Sequence, residues 1–158
     1  ELSQHGISFI SERLVQEGHA PERVTYMLMR GGILPYDTAS LDLVILPQVI
    51  EHMPDPQVML NEARRVLVPG GHLLISTRNV ESAYGEMWRT LESRGQVPNQ
   101  GPFTPCPAIE VSAWLSSRFD IEEEIGIGTE ATGDASVLRD ESRFGCRLYA
   151  ARCRRDRT

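Results

Sequence analysis

The chain of 158 residues is long enough for one domain with a sizeable core. Its formal net charge of -6 argues against a surface for nucleic acid or membrane lipids, and no run is apolar and long enough to cross a bilayer. The three cysteines show no metal-binding spacing, so we expect reduced thiols in a cytoplasmic protein.

The first clear element is a buried strand over Asp42–Leu46, a short apolar run with β-branched residues. A helix follows, with Asp55 predicted as its N-cap and Pro56 at its first position. The apolar residues at helical spacing on this helix are Met59, Ala63, Val66 and Leu67.

A second strand is predicted over His72–Ser76, after the helix stops at Pro69-Gly70-Gly71. Strand, helix and strand joined by short turns are typical of a right-handed crossover unit in a parallel sheet.

This region resembles the class I S-adenosylmethionine-dependent methyltransferases, in particular the branch that acts on small molecules. That branch carries the pattern LPF-x-D-x-S-F-D-x-V, then LEH-x-x-D-P, then L-x-PGG-x-L-x-I-S. The matching segments, in order, are Leu34-Pro35-Tyr36, Leu41-Asp42, Ile50-Glu51-His52, Asp55-Pro56 and Pro69-Gly70-Gly71. The resemblance implies a doubly wound, Rossmann-like α/β sheet in a single domain over residues 1–158, with S-adenosylmethionine as cofactor.

By the same resemblance, Gly6–Phe9 is the end of the family's second strand, Ser11–Glu17 the next helix and Val24–Met29 the third strand. The family's first strand and its G-x-G-x-G loop have no counterpart before Leu34. We therefore expect a sheet that is N-terminally truncated or degenerate. The edge of Asp42–Leu46 would then be covered by a missing segment, by residues 1–10 as a substitute strand, or by a partner chain in a homo- or hetero-oligomer.

The resemblance also indicates cofactor contacts. Ser8 stands where the family places an acidic residue for the ribose, and Arg30 where it places an Asp for the adenine. Gly31 and Gly32 would offer backbone N–H groups to the adenine, or else form an ordinary tight turn. The residues expected at the methionine end are Leu46, Pro47 and Gln48.

His52 is the candidate catalytic residue, because an imidazole after the fourth family strand can act as general base for a hydroxyl acceptor. The alternative is that Glu51 and His52 only hold the turn before the helix.

Residues 79–108 correspond to the family's lid over the acceptor. A helix over Val80–Ser93 is predicted there, and Arg94–Pro107 is a loop. The candidate substrate-binding residues are Tyr84, Met87, Trp88 and Phe103. The alternative is that the face of this helix formed by Tyr84, Met87, Trp88 and Leu91 packs on the core.

The remaining elements complete the family's sheet. Thr104 and Pro105 resemble its entry to the next helix, as N-cap and first position, and Val111, Trp114 and Leu115 form a buried stripe. Two runs resemble its closing antiparallel strands, with a polar, mobile loop between them and a basic tail over residues 152–158. These segments are Phe119–Gly128, Arg143–Ala151 and, for the loop, Thr129–Asp140.

Two functions follow from the resemblance. The first is S-adenosylmethionine-dependent methyl transfer to an oxygen or nitrogen atom of a small molecule. The second is a degenerate, non-catalytic binding or assembly subunit, which Ser8, Arg30 and the absent glycine loop favour.

Overall fold

The computed structural model describes residues 4–19, 24–25, 27, 29, 32–96, 103–128, 137–139, 144 and 146–156. The chain divides into two compact units, the N-terminal unit (residues 1–36) and the sheet unit (residues 37–158). The described part of the N-terminal unit contains one helix, α1 (Gln4–Gln16).

The sheet unit carries a five-stranded sheet with the strand order β1-β2-β5-β3-β4 among its described residues. The strands are β1 (Leu41–Pro47), β2 (Leu67–Arg78), β3 (Asp120–Ile127), β4 (Val137–Leu138) and β5 (Leu148–Arg154). The helices are α2 (Pro56–Val66), α3 (Ala83–Ser93) and α4 (Ala108–Ser116), with a 3-10 turn at Ile50–His52. β1 and β2 are parallel, and the other neighbouring strands are antiparallel.

The unit β1–α2–β2 confirms the predicted strand, helix and parallel strand. Asp55 is the N-cap of α2, since its Oδ1 accepts a hydrogen bond of 2.9 Å from the backbone N–H of Gln57. The predicted stripe is buried, but its last member, Leu67, begins β2 rather than ending the helix. This burial is what holds a helix of only 11 residues on the sheet.

Alternation of burial shows which face of the sheet is the core. Val44 and Leu46 of β1 are buried together with Leu73 and Ile75 of β2. Helix α2 contacts β2 and helix α4 contacts β3, so the helices supply apolar cover for this layer.

The opposite face of the sheet is open within the sheet unit. Leu43 and Ile45 are 46% and 57% exposed. Ile45 lies in register with Leu74, and a shallow depression of about 350 Å³ continues the open face across β2, β5 and β3. Among the described residues β1 pairs only with β2, so its outer edge has no ladder partner there.

The prediction of a strand end at Gly6–Phe9 is wrong, because α1 spans these residues. Ile7, Ser11 and Leu14 are half-buried at a spacing of four and then three residues, which is the period of a helix face. Residues 4–10 therefore cannot act as a substitute strand. The predicted helix over Ser11–Glu17 is confirmed as far as Gln16, whereas the described residues of 24–29 belong to no helix or strand.

The prediction that Pro69-Gly70-Gly71 ends α2 is also wrong, because these residues lie inside β2. The N–H of Gly70 donates to the carbonyl of Arg155, and the N–H of Arg155 donates to the carbonyl of Gly71. Pairing with the C-terminal segment therefore extends β2 toward its N-terminal end. This pairing is a long-range contact, so the local sequence does not reveal it.

Three further boundaries differ from the prediction. Helix α3 begins at Ala83 rather than Val80, with Ser82 as N-cap. Helix α4 begins at Ala108, and the Thr104 hydroxyl instead donates to the Met53 carbonyl at 2.6 Å. The basic tail is shorter than predicted, because β5 extends to Arg154.

The closing antiparallel pair is confirmed as β3 and β5, with Ile125 opposite Ala150. In α4, Val111 and Leu115 are buried and Trp114 is half-buried. Most of the predicted polar loop, residues 129–136 and 140, lies outside the described residues, and 137–138 form β4.

Candidate active site

The carboxyl ends of the parallel strands β1 and β2 lie side by side. Pro47, the last residue of β1, is in register with Ser76, and the N–H of Gln48 donates to the Ser76 carbonyl at 2.9 Å. Gln48 has a φ of 51°, a left-handed conformation that is uncommon for a residue other than glycine. Leu46 faces the core, so its backbone alone is available at this edge. Such an edge is where open α/β sheets bind their ligands.

A fully buried carboxylate anchors the 3-10 turn to the end of β2. Glu51 accepts from the Thr77 hydroxyl at 3.0 Å and from the backbone N–H of Arg78 at 3.3 Å. The Glu51 carbonyl accepts from the N–H of Thr104 at 2.7 Å. Burial, helped by the Glu51 charge, raises the pKa of the adjacent Cys106 thiol to about 12. Glu51 therefore holds the turn, the strand end and the loop before α4 in one arrangement.

The imidazole of His52 contacts a guanidinium. His52 Nε2 lies 3.2 Å from an Nη of Arg78, and the Arg78 Cζ lies 4.6 Å from the centroid of the Trp88 ring. The His52 ring also meets the ring of Phe103 edge-on, with centroids 6.4 Å apart. A guanidinium can only donate, so Nε2 is the acceptor and the imidazole proton is on Nδ1. Side chains from the 3-10 turn, β2, α3 and the loop before α4 thus meet at one point.

Three N–H groups at this point are buried and have no acceptor among the described residues. They are Nδ1 of His52, Nε of Arg78 and Nε1 of Trp88, which together we call the donor cluster. Buried polar groups in folded proteins are nearly always hydrogen-bonded, so three such groups on one arginine and the two rings it contacts are unusual. Because all three groups donate, the cluster suits a ligand that supplies hydrogen-bond acceptors.

Aromatic rings extend the donor cluster along α3. The Tyr84 ring meets the Trp88 ring edge-on at 6.3 Å, and the Arg147 guanidinium lies 4.8 Å from the centroid of Tyr84. Of the four candidate substrate-binding residues, Trp88 belongs to the cluster, Phe103 touches it and Tyr84 extends it. Met87 is 45% exposed and belongs to none of these contacts.

The candidate cofactor residues of the N-terminal unit are only partly described. Ser8 is an exposed residue of α1. Gly32 is buried with a φ of 77°, as a tight turn requires. Arg30 and Gly31 lie outside the described residues.

Sequence reasoning did not single out Thr77, Arg78 or Asn79. Asn79 is fully buried, and its amide donates to the carbonyls of Phe144 at 2.6 Å and Cys146 at 3.0 Å. Their position in the sequence could have identified all three residues. They directly follow the predicted strand His72–Ser76 and so lie at the same carboxyl edge of the sheet as His52.

Among the residues that the structure describes, no cluster of three or more His, Cys, Asp or Glu side chains is arranged to hold a metal ion. Nor does any described helix reach the length and apolar character needed to span a membrane.

Comparison with known proteins adds to this geometry. Residues 1–75 match a family model described as "Methyltransferase domain". The chain is 43% identical over 123 residues to a ubiquinone biosynthesis O-methyltransferase of Xanthomonas oryzae pv. oryzae, covering 73% of this chain and 50% of that protein. It is 35% identical over 97 residues to a probable S-adenosylmethionine-dependent methyltransferase of Mycolicibacterium smegmatis, covering 60% and 34%. The chain thus spans half or less of the length of these curated relatives.

Solved structures confirm the predicted Rossmann-like fold. An S-adenosylmethionine-dependent methyltransferase from Thermotoga maritima superposes with a TM-score of 0.63 at 19% identity, covering 84% of this chain and 65% of that one. An S-adenosylmethionine-dependent methyltransferase from Aquifex aeolicus superposes with a TM-score of 0.60 at 13% identity, covering 98% and 65%. At such identities the likeness establishes the fold alone.

Proposed function

The chain belongs to the class I S-adenosylmethionine-dependent methyltransferase family, and we propose that it takes part in methyl transfer from that cofactor to an oxygen or nitrogen atom of a small molecule. The observation that carries the proposal is the meeting of His52, Arg78 and Trp88 at the carboxyl ends of β1 and β2. The likeness to a ubiquinone biosynthesis O-methyltransferase supports an oxygen atom as the acceptor. Because the chain spans half or less of its curated relatives, the reaction of the whole protein is part of this proposal.

The residues at the end of β1 fit the methionine end of the cofactor. The left-handed backbone of Gln48 is the supporting observation, since residues held in such conformations cluster at ligand sites. We propose that the backbone of Leu46, Pro47 and Gln48 lines this end. When bound, S-adenosylmethionine supplies an electrophilic methyl carbon, which bonds to the acceptor atom as its bond to sulfur breaks and the electron pair stays on sulfur.

His52 is proposed as the general base that takes the proton of the acceptor hydroxyl on Nε2. In the structure this lone pair accepts from Arg78, so the Arg78 side chain must turn away before His52 can receive the proton. Glu51 does not touch the acceptor in this scheme. It keeps the turn that carries His52 attached to the end of β2, which fixes the direction of the imidazole.

The test is the formation of S-adenosylhomocysteine from millimolar S-adenosylmethionine and a hydroxylated aromatic acceptor, measured by mass spectrometry. We expect His52→Phe to lower the rate by about a hundredfold, the usual contribution of general base catalysis. His72→Phe is the matched control, because His72 is on the open face of β2 and should leave the rate unchanged. Equal rates for the two variants would contradict the role of His52.

A second candidate function is a non-catalytic subunit that binds another chain through the open edge. It is favoured by the exposure of Leu43 and Ile45 and by the unpaired outer edge of β1 among the described residues. Sedimentation of wild-type protein and Ile45→Arg tests this, with Arg89→Gln as an exposed control. We expect the purified wild-type protein to form a homo-oligomer that Ile45→Arg dissociates, and a wild-type monomer would contradict self-association through this edge.

A further inference from the structure

We propose that the Arg78 side chain is a latch, which keeps the lone pair of His52 occupied until helix α3 moves away from the sheet unit. The Arg78 guanidinium lies between the His52 imidazole and the Trp88 ring, and we call this arrangement the Arg78 latch. It occupies the only lone pair of the imidazole, because the proton is on Nδ1. This role rests on the proposed function, which it deepens by naming how the same site is regulated.

The backbone beneath the Arg78 latch is fixed. Glu51 accepts from the Thr77 hydroxyl at 3.0 Å and from the backbone N–H of Arg78 at 3.3 Å. Glu51 also precedes His52 in the same 3-10 turn. Because these bonds join the main chains that carry His52 and Arg78, release of the latch must come from the Arg78 side chain and from α3.

Helix α3 is anchored at its start. The Ser82 hydroxyl accepts from the N–H of Gly85 at 3.0 Å and donates to the Asn79 carbonyl at 2.7 Å. Gly85 alone among the 11 residues of α3 is fully buried, whereas α2, of the same length, buries five residues. An element with so little buried surface opens at a low cost in free energy, and its anchored start makes the movement a pivot that carries Trp88 away from Arg78.

The hold on the Arg78 guanidinium depends on Trp88. Among the described residues Arg78 forms no salt bridge, although ten ion pairs are formed by other residues. The remaining polar contact of the guanidinium is the 3.2 Å hydrogen bond to the His52 ring, and the Trp88 ring shields this bond from water. Once Trp88 moves off, water competes for both partners, so the bond no longer holds Arg78 in place. The lone pair on His52 Nε2 is then free to take a proton.

Carbethoxylation by diethyl pyrocarbonate tests the Arg78 latch, because this reagent attacks the lone pair of a neutral imidazole. Peptide mass spectrometry measures the rate at His52 without added cofactor. We expect Arg78→Met to raise this rate at least about tenfold, as loss of a hydrogen bond from a charged group allows. Trp88→Leu should raise it about threefold, because it removes the ring that covers the guanidinium. The matched control Arg89→Met, at an exposed position of α3, should leave the rate unchanged, and the rate at the exposed His72 should be the same in every variant.

Arg78→Lys separates the latch from a mere loss of packing, since lysine keeps a cation and a donor. It should return the rate at His52 to within about threefold of wild-type. Equal rates at His52 in wild-type protein and Arg78→Met would overturn the proposal, as would a rate in Arg78→Lys as high as in Arg78→Met. An unchanged rate in Trp88→Leu would also overturn it, and this variant decides alone if Arg78→Met does not fold. Because these rates need neither cofactor nor turnover, failure here leaves methyl transfer standing, and absence of methyl transfer leaves these rates unaffected.

Discussion

Asn79→Asp is the substitution whose effect on stability the structure defines most closely. The fully buried amide joins three parts of the sheet unit. Its nitrogen donates to the carbonyls of Phe144 and Cys146, ahead of β5, and its Oδ1 accepts from the N–H groups of Glu81 and Ala108. The bond to Ala108 satisfies the first turn of α4, whose own N-cap Pro107 has no side-chain hydrogen bond.

An aspartate has the same shape but no amide hydrogens. Two carbonyl oxygens would lose the donor they share and face a carboxyl oxygen instead. Loss of a partner by a buried polar group costs about 1–3 kcal/mol, and a protonated carboxyl can return one donor to one of the two carbonyls. We therefore expect the free energy of unfolding to fall by about 2–4 kcal/mol.

Urea denaturation followed by circular dichroism measures this loss. Asn61→Asp is the matched control, because Asn61 is exposed and its Oδ1 accepts from the Arg118 guanidinium at 2.7 Å. A carboxylate can accept the same hydrogen bond. The control should change the free energy of unfolding by less than about 0.5 kcal/mol. An equally small change for Asn79→Asp would show that Asn79 does not hold these segments together.

Three further outcomes are expected. Asp55→Ala should cost about 1 kcal/mol through the lost N-cap of α2, and an unchanged melting curve would contradict this. Gly85→Ala should destabilise the protein by about 2 kcal/mol or more, because the new Cβ would lie 2.1 Å from the Asn79 carbonyl oxygen. A change from Gly to Ala usually stabilises a helix, so a more stable variant would refute this clash. Burial raises the pKa of Cys106 and Cys153 from 9.0 to about 12, so the folded state keeps protons that the unfolded state releases. The two thiols should therefore contribute their full stabilisation below pH 9.0 and lose it as the pH rises toward 12. A free energy of unfolding that does not fall over this range would contradict the prediction.

Sequence patterns predicted the elements whose signals are local. The apolar run of β1, the cap at Asp55 and the stripe of α2 each depend on neighbours within one element, and each is confirmed. The interpretation of Gly6–Phe9 as a strand failed because it followed the family alignment, while the spacing of Ile7, Ser11 and Leu14 indicated a helix.

Long-range contacts account for the other errors. Thr104 has the sequence of an N-cap, but its hydroxyl is used by the Met53 carbonyl, and Asn79 supplies the bond at the start of α4. For the same reason the candidate site was predicted only in part. His52 was found from the motif, whereas Arg78 reaches it from 26 residues away in sequence, at a distance that no local pattern reports.

The central claim is that His52, at the carboxyl ends of β1 and β2, is the general base of methyl transfer. The most direct measurement is transfer of an isotopically labelled methyl group from millimolar S-adenosylmethionine to a hydroxylated aromatic acceptor, for wild-type protein, His52→Phe and His72→Phe. The account predicts labelled product with the wild-type chain and with His72→Phe, and a rate about a hundredfold lower for His52→Phe. Labelled product formed equally well by all three folded proteins, or no labelled product from the wild-type chain, would contradict it.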